Sequence, residues 1–542
     1  MELQDFRQLT ETLFDADVCI VGAGPAGLAI ARELADTHCR VLIIESGGTE
    51  PSSLTQDLDV VENVGAARQV DQTLVRARAF GGTSSIWNGR CAPLDASDME
   101  ARDWVPLSGW PLTHAEFAPY FKRAARQLGL CAVDYDSTLE ARQPLGSPLA
   151  LSYSDALRPY LWQFSVDDTD SSVAMRCARN MQQRDPSNLR VLLHATVTEL
   201  VPEAGGARIE WLEIRSLTGK QAKVRARVIV LCAGGIETPR LLLASRRVVP
   251  SGVGNQHGLV GRHLMDHARC SLGQLRLPDA ARLRPAFSLQ SIEADGRQRY
   301  FLRGLALSAE FQRRERLLGC AGWIHETEAA DDPWSALKRL KMRQSDTRLS
   351  DLSALARQPW LTAQQLRRKL VQRQPVLRKL ASVELMCDVE QDPDPDSRIT
   401  LSDTRDALGM PRARVDWRIS ELQKQTILRF GQQAARTFAS MGQQLTLRDG
   451  AIAVADLRDV AHPSGTTRMA DSALRGVVDA SGQVHGVERL YIAGTSVFPT
   501  QGHVNPTLSL VALAIRVADE LKARHFVKRP TPHAQTERNT YA

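Results

Sequence analysis

The sequence predicts an α/β protein led by a dinucleotide-binding strand–turn–helix–strand unit, and three observations carry that prediction. Residues 17–21 form a short apolar strand running into Gly22-Ala23-Gly24-Pro25-Ala26-Gly27, then a helix-periodic stretch, 28–34. A second apolar strand, Val41-Leu42-Ile43-Ile44, ends at Glu45. Much later, Val228-Ile229-Val230-Leu231-Cys232-Ala233 is continuously apolar and ends in Gly234-Gly235, the pattern of a parallel-sheet strand buried on both faces.

Each part of the leading unit has a physical role. Gly22 permits the tight turn, Gly24 lets the backbone approach a pyrophosphate, and Gly27 lets the helix pack closely on the strand. The helix N-terminus offers free N–H groups and a positive dipole end to phosphates. Glu45 lies about twenty residues on, where a carboxylate accepts hydrogen bonds from a ribose hydroxyl. Strand, glycines, helix, strand and acid in this order point to a dinucleotide, without choosing between FAD and NAD(P).

Composition sets the class. A chain of 542 residues has room for two or more domains. Its 43% hydrophobic and 24% charged residues are ordinary for a globular protein, and a net charge of +6 over this length is no argument for nucleic acid. The nine cysteines are odd in number and scattered, with no CxxC pair, haem-attachment site or metal motif. Such usage suits a reducing compartment. Residues 1–14 are polar and acidic, without the features of a signal peptide, and no apolar run is long enough to span a bilayer. A cytoplasmic location is expected; export would require pairing with a signal-bearing partner.

Further along, Arg78-Ala79-Phe80-Gly81-Gly82-Thr83-Ser84-Ser85-Ile86-Trp87-Asn88-Gly89-Arg90 combines glycines and small hydroxyls, suited to backbone lying against a flat ring or a phosphate. Trp110-Pro111 reads as a packed turn before a helix at 115–128. Strands are expected within 188–201, and 208–214 alternates as a half-exposed antiparallel strand does. A helix is expected from Thr238 to Ala244. After Gly261-Arg262-His263-Leu264-Met265-Asp266-His267 the character changes: 270–307 reads as short strands and turns of an antiparallel sheet. Residues 333–380 read as a basic helical insertion, with Lys338, Arg339, Lys341 and Arg343 in one cluster and Arg367, Arg368 and Lys369 in another. A solvated face is its plain reading; an anionic partner or membrane surface is the alternative. Residues 394–401 form a turn entering a strand, 421–444 a long amphipathic helix, and the tail after Val527 is polar and expected to be disordered.

Two motifs close the chain. Ala461-His462-Pro463-Ser464-Gly465-Thr466-Thr467-Arg468-Met469 places a histidine in a loop of glycine and hydroxyls. The second runs from the strand Leu490-Tyr491-Ile492 through Ala493-Gly494-Thr495-Ser496 to His503-Val504-Asn505-Pro506-Thr507 and an apolar helix, 508–521. Pro506 suits a helix start, having no N–H to leave unsatisfied. That positive helix end, beside a flavin, would stabilise charge on the reduced ring. A histidine beside a dinucleotide is a candidate general base, with an ordinary pKa near 6.5.

On residues 17–45, 81–87, 234–244, 462–469 and 505–521 the chain resembles the glucose–methanol–choline (GMC) family of FAD-dependent oxidoreductases. Residues 81–90, 108–111, 261–267 and 394–401 look most like its bacterial branch of sugar dehydrogenases and glycoside or aminoglycoside-precursor oxidases. The resemblance implies an α/β (α+β overall) fold: a Rossmann-like FAD-binding domain built from discontinuous segments, plus a substrate domain with an antiparallel sheet and helices. The expected division is 1–150, 188–269 and 456–527 for the FAD-binding domain, the last part with the catalytic motifs. Residues 151–187 are a linker or part of the substrate domain, 270–455 the substrate domain with the insertion 333–380, and 528–542 the disordered tail.

The implied catalytic pair is His462 and Asn505, with His503 a further substrate contact. Implied cofactor contacts are Gly22, Gly24, Pro25, Ala26, Gly27, Glu45, Ser46, Arg78, Gly81, Gly82, Thr83, Ser84, Trp87, Asn88, Gly89, Val197, Ala233, Gly234, Thr238, Gly494, Thr495, Pro506 and Thr507. Relatives with covalent flavin carry histidine just before the loop tryptophan; here that position is Ile86, so non-covalent FAD is expected. Where many members have an acid this chain has Gly494, so contacts there fall to backbone N–H groups and to Thr495 or Ser496.

The reaction implied is oxidation of a CH–OH group of a sugar, glycoside, aminocyclitol or related polyol. His462 takes the hydroxyl proton, hydride passes to flavin N5, and Asn505 orients the substrate oxygen. The electron acceptor is oxygen, a quinone or an electron-transfer protein, which the basic insertion would dock. A flavin-containing lyase of the hydroxynitrile-lyase type and a non-catalytic partner subunit are the alternatives.

Overall fold

The computed structural model describes residues 1–526 apart from 36, 67, 69–70, 132–154, 168–173, 295, 343–347 and 373–375. Arg343 and the expected tail 528–542 lie outside the described residues, as do 151–154 and 168–173 of the expected linker.

The strand before the first glycine turn is Leu13–Val21, and it pairs in parallel with Val41–Ile44, Val18 opposite Val41 and Val21 opposite Ile44. On its other side Gln221–Leu231 is parallel as well, Val228 opposite Val18. Val18, Ile20, Val228 and Val230 have no exposure at all, which is why these strands are written as apolar runs rather than alternations. Leu189–Leu193 and then Glu2–Asp5 continue the sheet in parallel beyond Val41–Ile44. Opposite, Ile209–Arg215 joins antiparallel to the first half of Gln221–Leu231, and Thr196–Pro202 follows it. The second half of Gln221–Leu231 takes Leu490–Ile492 in parallel. A strand from the far end of the chain therefore finishes beside the second glycine turn, Gly234-Gly235. The apolar helix Thr507–Leu521 packs on both Pro25–Leu34 and His114–Gln127.

The helix after Gly234-Gly235 starts at Gly234, not at Thr238 as expected, and runs to Ala244 with Pro239 inside it. Its first turn is built from glycine, whose low helix propensity hid it; Gly235 is required there because a Cβ would come within 2.2 Å of the Pro463 carbonyl oxygen.

A nine-stranded antiparallel sheet forms the second layer. Its central order is Ala268–Leu275, Leu380–Val389, Cys320–Glu328, Arg297–Leu307 and Leu157–Phe164, with the two-residue strand Arg90–Cys91 at the end. Residues 270–307 are not strands alone: a helix, Leu277–Phe287, interrupts them. Its signal was present. Ala280, Leu283, Ala286 and Phe287 are buried at helical spacing, and Pro278 occupies the first turn, where a missing N–H costs little. The helix Glu421–Ser440, opened by a Ser420/Gln423 capping box, stops four residues short of the expected 444 and lies on this sheet. There Gly322 leaves room for Phe430, whose ring would stand 2.7 Å from an added Cβ.

The insertion is helical, as Pro333–Lys341, Arg348–Arg357 and Pro359–Leu370. Arg339 is paired with Asp351 at 2.5 Å, while Leu349, Trp360, Leu370 and Val371 stand exposed. Among the described residues no helix is long and apolar enough to cross a membrane.

Candidate active site

Both glycine turns, the loop 78–90 and the two C-terminal motifs border one cavity of about 630 Å³. The helices Pro25–Leu34 and Thr507–Leu521 both start at its wall, and neither has a side-chain cap. Their first N–H groups and positive dipole ends are left for a ligand. At Gly24, Gly234 and Gly494, all on the wall, an added Cβ would meet nothing within 4 Å, so the backbone is bare toward the cavity. Gly27 stands behind the wall; a Cβ there would sit 2.0 Å from the Gly22 carbonyl oxygen, so it serves the close packing of helix on turn.

Glu45 holds the turn together. Its Oε2 accepts from the Ala23 N–H at 2.9 Å and its Oε1 from the Gly47 N–H at 2.9 Å. Burial pushes its carboxyl above the usual range. Oε1 also accepts from the Ser46 hydroxyl at 3.4 Å, so Oε2 is the oxygen that keeps a lone pair for a ribose hydroxyl.

Of the residues singled out from the sequence, Gly22, Gly24, Pro25, Ala26, Glu45, Ser46, Arg78, Gly82, Thr83, Ser84, Trp87, Asn88, Val197, Ala233, Gly234, Gly494, Thr495, Pro506 and Thr507 line the cavity, as do His462 and Asn505. Five do not. Besides Gly27, Gly81 ties the loop to the first turn by donating its N–H to the Ala23 carbonyl at 2.9 Å. Gly89, at φ +78°, accepts from the Ser165 N–H at 2.7 Å. Thr238 is buried within its helix. His503 is buried too, off the wall, its ring 4.9 Å from Tyr160 and its Nδ1 2.9 Å from where a Cβ of Gly319 would be. The Thr495 hydroxyl donates to the Pro463 carbonyl at 2.7 Å, and the Ser496 hydroxyl accepts from Thr467 at 2.7 Å. Bare backbone at Gly494 is what faces the cavity there.

The sequence reading missed the partner of His462. His267 Nδ1 lies 3.0 Å from His462 Nδ1, and His267 Nε2 lies 3.0 Å from the Gly502 carbonyl oxygen. A carbonyl only accepts, so His267 Nε2 carries the hydrogen. Burial holds the His267 ring below the ordinary histidine range, so it is neutral and its Nδ1 is bare. His462 must then donate from Nδ1, which leaves His462 Nε2 with a free lone pair. Burial, and secondarily His267, hold His462 well below 6.5. The backbone is fixed as tightly: the His462 N–H donates to Asp266 at 3.0 Å, and Arg68 bridges Asp266 and Asp459 at 2.8 and 2.9 Å. Ala461, just before it, is held at φ +59°, an uncommon conformation for a residue with a Cβ. His267 was visible in the sequence as the end of 261–267, but nothing in its spacing paired it with residue 462.

Arg90 and Arg269 also stand on the wall, from the antiparallel sheet. Arg269 is paired with Asp388, its Nε at 2.7 Å and Nη2 at 2.9 Å from the two carboxylate oxygens.

Comparisons with known proteins match the chain at both ends and in the middle. Residues 171–269 and 393–514 match the N- and C-terminal GMC oxidoreductase families, and 20–52 match an NAD(P)-binding Rossmann-like domain. The chain is 24% identical to 6'''-hydroxyparomomycin C oxidase of Streptomyces lividus, covering 95% of this chain and 93% of that protein. It is 23% identical to 2-methyl-1,2-propanediol dehydrogenase of Mycolicibacterium austroafricanum, over 95% and 97% of the two chains. Among solved structures, pyridoxine 4-oxidase from Mesorbium loti superposes with a TM-score of 0.55 at 18% identity, over 94% of this chain and 99% of that one.

Proposed function

We propose, from the premise that this chain is a GMC oxidoreductase by both its N- and C-terminal domains, that it oxidises a CH–OH group of a polyol-like substrate with His462 as general base. The family implies FAD, and the cavity fits it. Three bare glycine backbones, two uncapped helix starts and Glu45 surround a space long enough to connect the first glycine turn to the His462 loop. Gly22, Gly24, Pro25, Ala26, Glu45, Ser46 and Arg78 would hold the adenosine diphosphate half. Gly82, Thr83, Trp87, Ala233, Gly234, Gly494, Pro506 and Thr507 would hold the rest. Ile86, which is 45% exposed, offers no attachment point, so the reading is non-covalent FAD.

The cofactor supplies the acceptor for the hydride that leaves the carbinol carbon. The protein's part is the proton. His462 Nε2 takes it from the substrate hydroxyl as the C–H bond breaks, and the ring, now charged, keeps its Nδ1–H on His267. Asn505, which lines the same cavity, would donate to the substrate oxygen and fix its orientation. The observation that carries the reading is the hydrogen-bonded order Gly502 carbonyl, His267, His462, which forces the free lone pair onto the nitrogen left over for substrate.

Anaerobic mixing with an alcohol substrate tests it. Flavin absorbance bleaches in the native enzyme, whereas a lyase would leave it unchanged. His462→Ala should slow bleaching by a factor of roughly 10²–10⁴ while FAD stays bound. Bleaching at the native rate would overturn the assignment. The relatives above are named as oxidases and a dehydrogenase, and no observation here favours the lyase.

A further inference from the structure

We propose that Arg90 is a carboxylate-binding subsite, and that the preferred substrates are alcohols carrying a carboxylate, such as sugar acids and hydroxy acids. This rests on the alcohol-oxidising reading and names the substrate class it leaves open.

Arg90 sits on the two-residue strand Arg90–Cys91, held by pairing with Phe164 and Gln163. It is only 8% exposed and lines the same cavity as His462 and Asn505. Its guanidinium carbon is 3.8 Å from the centroid of the Trp162 ring and 4.2 Å from that of Trp323, and the two indoles stand nearly perpendicular, at 82°. Gly304 makes the room: a Cβ there would be 2.4 Å from Trp162 Cζ3. Aromatic packing thus covers the guanidinium: its Nε and Nη2 are closed off and have no hydrogen-bond partner among the described residues. Nη1 is not closed off in this way, and through it the charge meets an anion in the cavity.

The neighbouring arginine shows what a guanidinium on this sheet takes. Arg269, also over Trp323 at 4.8 Å, has its own Nε and Nη2 filled by the two oxygens of Asp388. Asp388 is the carboxylate whose charge acts on Arg90, and both its oxygens are already bound to Arg269. Burial draws Arg90 down to about 10, which still leaves it charged at neutral pH. A buried cation unpaired with any side chain among the described residues, on the wall it shares with His462 and Asn505, fits an anion brought by the ligand. It equally disfavours ammonium-bearing alcohols, which like charge would repel.

The FAD-loaded enzyme is titrated at low salt with D-gluconate, D-gluconamide and choline by calorimetry, and each compound is then tested for anaerobic flavin bleaching. Gluconate should bind at least tenfold tighter than gluconamide, and choline weaker than both. Arg90→Gln should erase the gluconate preference with FAD content unchanged, and Arg90→Lys, which keeps charge but loses the guanidinium, should fall between. Equal binding of gluconate and gluconamide, a preference that survives in Arg90→Gln, or loss of FAD from that variant would each overturn the subsite. Arg90-dependent preference with no alcohol able to bleach the flavin would leave the subsite standing and sink the oxidation reading instead.

Discussion

His462 owes its chemistry to a residue 195 positions earlier. Burial and His267 together hold its ring below the ordinary histidine value of 6.5, so the proposed base is unprotonated across neutral pH. The sign follows: the proposed reaction requires the unprotonated ring, the folded value is lowered, and the acid limb of kcat/KM should therefore fall below pH 6.5. A limb at or above 6.5 would contradict the assignment. His267 acts through His462 and is a positioning residue. His267→Ala should lower kcat by about 10–100-fold, the usual effect of losing an orienting partner.

At the scale of elements, the site is made of close approaches that only glycine allows. The helix Pro25–Leu34 rests on the first turn because Gly27 has no Cβ, the loop 78–90 rests on that turn because a Cβ at Gly82 would be 2.7 Å from Gly24 Cα, and Gly235 admits Pro463. Gly27→Ala would put a methyl 2.0 Å from the Gly22 carbonyl and lift the helix start from the cavity. The expected cost is about 1–3 kcal/mol of stability, the range for overpacking, with weaker FAD binding measured by fluorescence titration. Unchanged FAD affinity would mean that this helix start does not hold the phosphates.

The whole molecule encloses its cavity between the parallel sheet and the antiparallel one, so a ligand that fills it joins both. Folding and FAD binding should be coupled by mass action. At free FAD of about one hundred times Kd the linkage is about 2.7 kcal/mol, so apo-protein should melt clearly below holo-protein, and its Tm should rise with added FAD. Acid precipitation should release that FAD into solution; flavin retained on the pellet would refute non-covalent binding.

Much of this was legible in the chain. Apolar runs at 17–21, 41–44 and 228–233 reported burial on both faces, and the glycines reported turns, because period and bare backbone are local properties. The family likeness added His462 and Asn505. Local signals failed where local rules were broken: the helix beginning on Gly234-Gly235 was called four residues late, and Leu277–Phe287 was passed over amid strands. Tertiary structure alone decided the pairing of His267 with His462, the packing of His503 on Tyr160, and the guanidinium of Arg90 held between Trp162 and Trp323. Each depends on which segments, far apart in sequence, the two sheets bring within hydrogen-bond or ring-contact distance. No pattern along the chain encodes that; the register of the strands does.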